Sequence, residues 1–106
     1  MSLEAVKVVV ITEKLIAEKV CALIEACGAT GYTVVAAGGK GSRSIRSANR
    51  ARVVDEFSNV KIEVVTPDVA MANQIAESVI DEFLNDYSGI TYFETVQIVR
   101  SQKFRR

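Results

Sequence analysis

An α+β fold in which one β-α-β unit is used twice is predicted by three observations. Short β-branched runs alternate with segments of helical periodicity, in the order β-α-β, long loop, β-α-β. Two short motifs recur: Thr12-Glu13 is answered by Thr66-Pro67-Asp68, 54 residues on, and Gly31-Tyr32-Thr33 by Gly89-Ile90-Thr91, 58 residues on. Length limits the alternatives, because 106 residues that are 49% hydrophobic suit one core, and two domains are not expected.

Each element has its own warrant. Residues 6–11, Val-Lys-Val-Val-Val-Ile, suit a strand buried on both faces. Thr12 is placed to cap a helix with Glu13 in its first turn, and Ile16, Val20, Leu23, Ile24 and Cys27 recur at helical spacing until Gly28. Gly31 opens a second strand, Tyr32 to Ala37, and Gly38-Gly39-Lys40-Gly41-Ser42 then breaks all periodicity to about Ser58. Val60 to Val65 alternates as a third strand. Thr66, Pro67 and Asp68 predict a cap, a first helical position and an acid complementing the helix dipole. Ala72, Ile75, Ala76, Val79, Ile80 and Phe83 form the stripe of that helix, Asn85-Asp86-Tyr87-Ser88-Gly89 ends it, and Ile90 to Val99 is the last strand. Residues 101–106 are a polar, basic tail. The expected whole is a ferredoxin-like β-α-β-β-α-β sandwich with a long loop between strands 2 and 3.

With both helices on one side of the sheet, its other side needs a partner. Val8, Val10, Ile62, Val64 and their alternates read as aliphatic on both faces, which leaves an apolar patch on the order of several hundred Å² on a lone chain. Burial by oligomerisation is therefore expected. The aromatic stacking platforms of an RNA-recognition sheet are missing from residues 6–11 and 60–65.

The formal net charge is zero, with 13 basic and 13 acidic residues, yet Lys40, Arg43, Arg46, Arg50 and Arg52 lie in a stretch with no acid in it. The rest of the chain then carries 8 basic against 13 acidic groups. No run approaches the roughly 18 apolar residues that span a bilayer, and the N-terminus lacks the pattern of a signal peptide, so a soluble, cytoplasmic protein is expected. The chain has no histidine and no C-x-x-C, which excludes the usual zinc, copper and haem constellations and histidine-based catalysis. No metal ligand and no catalytic residue is assigned. Cys21 and Cys27, six apart in one helical pattern, project about 120° apart and are not expected to form a disulfide.

The chemistry concentrates in the loop. Gly38, Gly39 and Gly41 allow tight turns and present N–H groups, Ser42 adds a hydroxyl, and Lys40, Arg43 and Arg46 can surround an oxyanion. The pattern fits either a phosphate site or a merely solvated basic loop. Glu63, Asp55 and Glu56 read as solvent-facing acids. Tyr32, Tyr87, Tyr92 and Phe93 suit either the wall of a base pocket or aromatic core packing.

The order of elements, the long loop and Lys61-Ile62-Glu63-Val64-Val65-Thr66-Pro67-Asp68 resemble the PII signal-transduction superfamily over nearly the whole chain. Val10-Ile11-Thr12-Glu13-Lys14, Gly31-Tyr32-Thr33-Val34, Gly38-Gly39-Lys40-Gly41-Ser42-Arg43 and Asn85-Asp86-Tyr87-Ser88-Gly89-Ile90 resemble its SbtB-like branch, cyanobacterial proteins associated with a sodium-dependent bicarbonate transporter. The resemblance implies a homotrimer with its sheets facing a central barrel, and it makes residues 38–58 the T-loop. It implies adenine nucleotides (AMP, cyclic AMP, ADP, ATP) as effectors in clefts between subunits, with no obligatory cofactor. Carried over position by position, Thr33 and Val65 meet the base, Gly39, Lys40, Gly41 and Ser42 approach ribose and phosphate, and Arg43 and Arg46 neutralise phosphate charge. Gly89 closes the cleft from the other side and Arg100 supplies a further basic group. Arg43, Ser44, Ile45, Arg46, Arg50 and Arg52 would face the transporter, the chain's sole contact with a membrane.

Some positions depart from the pattern of ordinary PII proteins. Gln102 stands where they carry a second basic residue, and the closing loop lacks their glycine-rich, lysine-containing form, so tight binding of magnesium-ATP with 2-oxoglutarate is not expected. The chain ends without the cysteine-bracketed extension of many relatives, so the redox control linked to it is not expected. Two other readings are slow hydrolysis of ATP or ADP and, lower still, nucleic-acid binding by the five basic loop residues.

Overall fold

The computed structural model describes residues 3–38 and 58–99. The loop positions Gly39, Lys40, Gly41, Ser42, Arg43, Ser44, Ile45, Arg46, Arg50 and Arg52 lie outside the described residues, as do Asp55, Glu56, Arg100 and the tail.

The first strand, β1 (Leu3–Glu13), is longer than its β-branched run because it is paired on both sides: Val6 to Glu13 with one neighbour and Leu3 to Thr12 with the other. That double ladder overrides the predicted cap at Thr12. Thr12 stays in the strand, buried, and donates its hydroxyl to the Ser88 carbonyl at 2.7 Å. A 3-10 turn, Lys14–Ile16, leads into helix α1 (Ala17–Ala26), whose N-cap Ile16 makes no side-chain hydrogen bond. Val20 and Ile24 are buried, with Leu23 and Cys27 packed beside them. Gly28 ends α1 at φ +101°, a conformation a side chain rarely adopts. Its N–H bonds to the Glu25 carbonyl and that of Ala29 to the Ile24 carbonyl, a Schellman closure.

Strand β2 (Thr33–Ala37) is short, and β3 (Asn59–Thr66) alternates buried and half-buried positions throughout. Thr66 repeats the behaviour of Thr12: it is buried, donates to the Val6 carbonyl at 2.8 Å with the Asp68 carbonyl as a second acceptor, and leaves the cap to Asp68. The Asp68 carboxylate accepts from the Met71 N–H at 3.0 Å and opens α2 (Val69–Val79), so Pro67 precedes the cap instead of following it. Ala72, Ile75, Ala76 and Val79 are buried as predicted, and a wider π turn, Ile80–Leu84, buries Phe83. Ile80 is exposed, since it lies about 100° round the helix from Val79. Strand β4 (Gly89–Ile98) is the last element among the described residues.

The four strands form one antiparallel sheet in the order β2-β3-β1-β4. Helices α1 and α2 pack on one face, against Val6, Val8, Val10, Val60, Ile62 and Val64. This is the predicted ferredoxin-like sandwich. Burying each of these aliphatic side chains contributes about 1.5–3 kcal/mol.

The register also tests the internal repeat. Val6 faces Thr66 and Thr12 faces Val60, so residues 54 apart exchange places across a local two-fold axis. The second motif does not superpose in the same way. Thr33 pairs with Glu63 and shares its face, whereas Thr91 pairs with Val10 on the helix-covered side, and the counterpart of Thr33 is Tyr92. A one-residue offset between similar sequences moves every side chain to the opposite face.

The other face corrects a further expectation. Val8, Val10, Ile62 and Val64 all belong to the helix-covered side, and their alternates are not uniformly aliphatic. Lys7, Lys61, Glu63 and Glu94 interleave there with Val9, Ile11, Val35, Val65, Ile90 and Tyr92.

Candidate functional site

The two ends of the sheet carry different chemistry. At one end, Thr33 opens β2 opposite Glu63, and Val65 lies opposite Lys7, both on the open face. Thr33 is exposed and Val65 half-buried. Beside them runs an ion network: the Lys7 ammonium lies 3.0 Å from Glu94 Oε1 and 3.5 Å from Glu63 Oε2, and Lys61 lies 3.5 Å from the same Glu63 oxygen. The hydrogen bond it donates to Glu94 holds the Lys7 ammonium above its ordinary pKa, with Glu63 acting in the same sense against partial desolvation. Glu63 is thus a half-buried partner of two lysines, not a freely solvated acid.

At the other end, Thr12 pairs with Gly89, and Glu13, Asn59 and Ala37 form a row across three strands that leads directly to Gly38 and the basic segment. The Ser88 N–H donates to Glu13 Oε2 at 2.8 Å while the Ser88 carbonyl accepts from Thr12. Lys14 N–H donates to the Ser58 carbonyl at 2.8 Å, tying the exit of the basic segment to the same strand end. Gly89 is required by space: a Cβ would stand 2.8 Å from the Ile11 carbonyl oxygen and 2.8 Å from Leu84 Cδ2. None of these links to residues far along the chain has a local sequence signal, and Thr12 and Glu13 read in isolation as a helix start.

Of the sequence-derived site residues that are described, Thr33 and Val65 lie on the neighbouring strands β2 and β3, and Gly89 lies on the far edge strand β4, at the end of the sheet where β2 runs out into Gly38. Lys7 and Thr12, opposite Val65 and Gly89, are five residues apart on β1, about 17 Å at ordinary strand rise. The aromatic residues do not gather into one wall. Tyr32 precedes β2 and Tyr92 lies on β4, at opposite edges of the sheet, while Tyr87 packs against the core.

Tyr32 instead helps to line a groove of about 360 Å³ on the helix side, with Ala17, Cys21, Ala22, Glu25 and Val34. Its hydroxyl donates to Glu25 Oε2 at 2.9 Å, which pushes the phenol up to about 12. Burial pushes the Cys21 thiol up, outweighing the opposing influence of the nearby Tyr32 hydroxyl. Cys21 is thereby kept in its less reactive protonated form, and both cysteines are free thiols. Among the described residues no helix is long and apolar enough to cross a membrane.

Comparison with known proteins agrees with this architecture. The family model described as "Nitrogen regulatory protein P-II" matches residues 5–103. The crystal structure of a PII-like signalling protein from Thermus thermophilus is 29% identical, with 97% of each chain covered and a TM-score of 0.77. The PII-like protein CPII of Thiomonas intermedia, in a structure bound to ADP and bicarbonate, is 24% identical over 99% of this chain and 98% of its own, with a TM-score of 0.80. The GlnK–ATP complex of B. subtilis is 20% identical over 91% of this chain and 84% of its own, with a TM-score of 0.59. The chain therefore belongs to the nitrogen regulatory protein P-II family.

Proposed function

We propose that this protein senses adenine nucleotides as an SbtB-like homotrimer, and that the nucleotide bound sets its fit to a sodium-dependent bicarbonate transporter. The observation that carries the reading is the division of the site between the two ends of the sheet. Thr33 and Val65 lie on β2 and β3, away from Gly89 on the far edge strand of their own chain, and a neighbouring copy can bring its Gly89 loop against them. In that cleft Thr33 and the Val65 backbone meet the base. Gly39, Lys40, Gly41 and Ser42 approach ribose and phosphate, Arg43 and Arg46 supply charge, Gly89 closes the cleft from the other side, and Arg100 adds a further basic group.

The CPII structures, bound to ADP and AMP and to bicarbonate, support both the ligand class and the link to inorganic carbon. A nucleotide shifts the basic segment only through different interaction with its two states, as when Arg43 or Arg46 is recruited to a phosphate. Arg43, Ser44, Ile45, Arg46, Arg50 and Arg52 then form the surface offered to the transporter, and an inhibitory complex is expected in the AMP- or ADP-bound state.

Calorimetry with AMP, cyclic AMP, ADP and ATP tests the site. Binding is expected, and Arg46→Ala weakens it by about tenfold or more, as for loss of a charge-assisted contact to phosphate. Unchanged affinity in that variant rejects the site assignment. Co-purification from native membranes with each nucleotide added tests the partner.

A further inference from the structure

We propose that the groove between α1 and the edge strand β2 binds an extended basic segment of a partner protein, one apolar side chain seated between two cationic ones, independently of the nucleotide-binding reading above. Glu18 and Glu25 stand seven residues apart on α1, which places them on one stripe of the helix about 10.5 Å apart along its axis. Cys21 and Ala22 lie between them, and Val34 and Tyr32 form the facing wall. The small side chains on the helix leave about 360 Å³ of mainly apolar space, open to solvent beside a Val34 that is 42% exposed.

Charge says what this groove accepts. Every ionisable group that lines it is an acid, and among the described residues neither carboxylate has a basic partner. On the open face, by contrast, Glu63 and Glu94 have Lys7 beside them. The Tyr32 hydroxyl holds one oxygen of Glu25 at 2.9 Å and so fixes the carboxylate at the end of the groove. Burial raises the Cys21 thiol and both carboxylates push it the same way, so the floor of the groove senses their negative potential. A cation entering here gains the attraction of two unneutralised carboxylates against low-dielectric walls.

The strand beside the groove says what form the ligand takes. Among the described strands β2 lies at one edge of the sheet, bonded to β3 alone. Its residues, Thr-Val-Val-Ala-Ala, include no charge and no proline to discourage pairing, and Thr33 to Ala36 are exposed. An extended segment laid along this edge sends alternate side chains to the helix side, the side on which Val34 lies with Ile62. Three such side chains span about 13 Å, so the outer two reach Glu18 and Glu25 while the middle one fills the space over Cys21 and Ala22. The fitting pattern is basic-x-apolar-x-basic, with arginine matched to each carboxylate.

Nuclear magnetic resonance titration of the assembled protein with an end-blocked peptide, Arg-Ser-Val-Ser-Arg, tests this. Amide signals of α1 and β2 should shift at low salt, and the apparent affinity should fall about threefold in Glu18→Gln and again at high salt. Ala22→Trp, at an exposed helix position, fills the groove and should abolish the response. Thermal unfolding near that of wild type is expected for Glu18→Gln, which removes no hydrogen bond of the fold, so its weaker binding reports on the site. Equal shifts from free arginine, or from a peptide with its two arginines adjacent, overturn the proposal by reducing the groove to unspecific attraction of cations. Wild-type spectra that do not respond overturn it as well, and protection of the β2 amides from hydrogen exchange in that case identifies a second copy of this chain as the occupant. Nucleotide sensing stands in either event.

Discussion

Tyr32 donates its phenolic proton to Glu25, and that bond is the main reason the phenol ionises late. The neutral phenol is the form held in the fold, which raises its pKa from 10.0 to about 12. Its contribution is complete below the unfolded value of roughly 10 and is lost as pH rises through about 12. Ultraviolet titration of the wild type should show one tyrosine ionising near the upper end of that window. Glu25→Gln should move that transition downward, and an unmoved transition would refute the assignment. Glu25 and Tyr32 are seven residues apart across a helix end and a turn, and the spacing of the two residue types gives no hint of their contact. Gly89 is also illegible from local pattern, because its need for a bare backbone arises from the Ile11 carbonyl, distant in sequence.

Among the elements, helix stripes were more legible than helix starts. Val20, Ile24, Ala72, Ile75, Ala76, Val79 and Phe83 face the core as their periodicity requires. Thr12 and Thr66 both looked like caps, yet each is a strand terminus whose hydroxyl satisfies a buried carbonyl. A threonine followed by an acid is compatible with either use, and only strand pairing selects between them. The cap of α2 is Asp68, whose carboxylate accepts from Met71 N–H. Replacing Asp68 with alanine should destabilise the fold by about 1 kcal/mol, read as a shift of the urea midpoint at unchanged slope.

On the scale of the whole molecule, the open face of the sheet mixes an ion network with exposed apolar side chains: Ile90 is 56% exposed, Val35 48% and Tyr92 39% in the lone chain. Such a face suits association with a second copy better than prolonged contact with water. Ile90→Glu places a charge on that face without entering the helix-covered core. Sedimentation should report a trimer for wild type and a folded monomer for the variant; a variant that remains trimeric would place the interface elsewhere. The sequence reading anticipated that this face needs covering, but it took the face to be aliphatic. Lys7 and Glu63 sit on strands whose β-branched neighbours dominate the local pattern, and their pairing depends on the β1–β3 register.

By itself the sequence determined the order of the elements, the aliphatic core beneath the helices and the concentration of glycine and basic residues between β2 and β3. These follow from periodicity and composition, which act over a few turns of helix or a few residues of strand. Tertiary structure alone decided where Thr33, Val65 and Gly89 sit on the sheet and which face each described side chain takes. It also decided that Glu13, Thr12 and Lys14 bind two loops at once. The reason is that antiparallel register joins residues dozens of positions apart, and a slip of one residue would exchange the two faces.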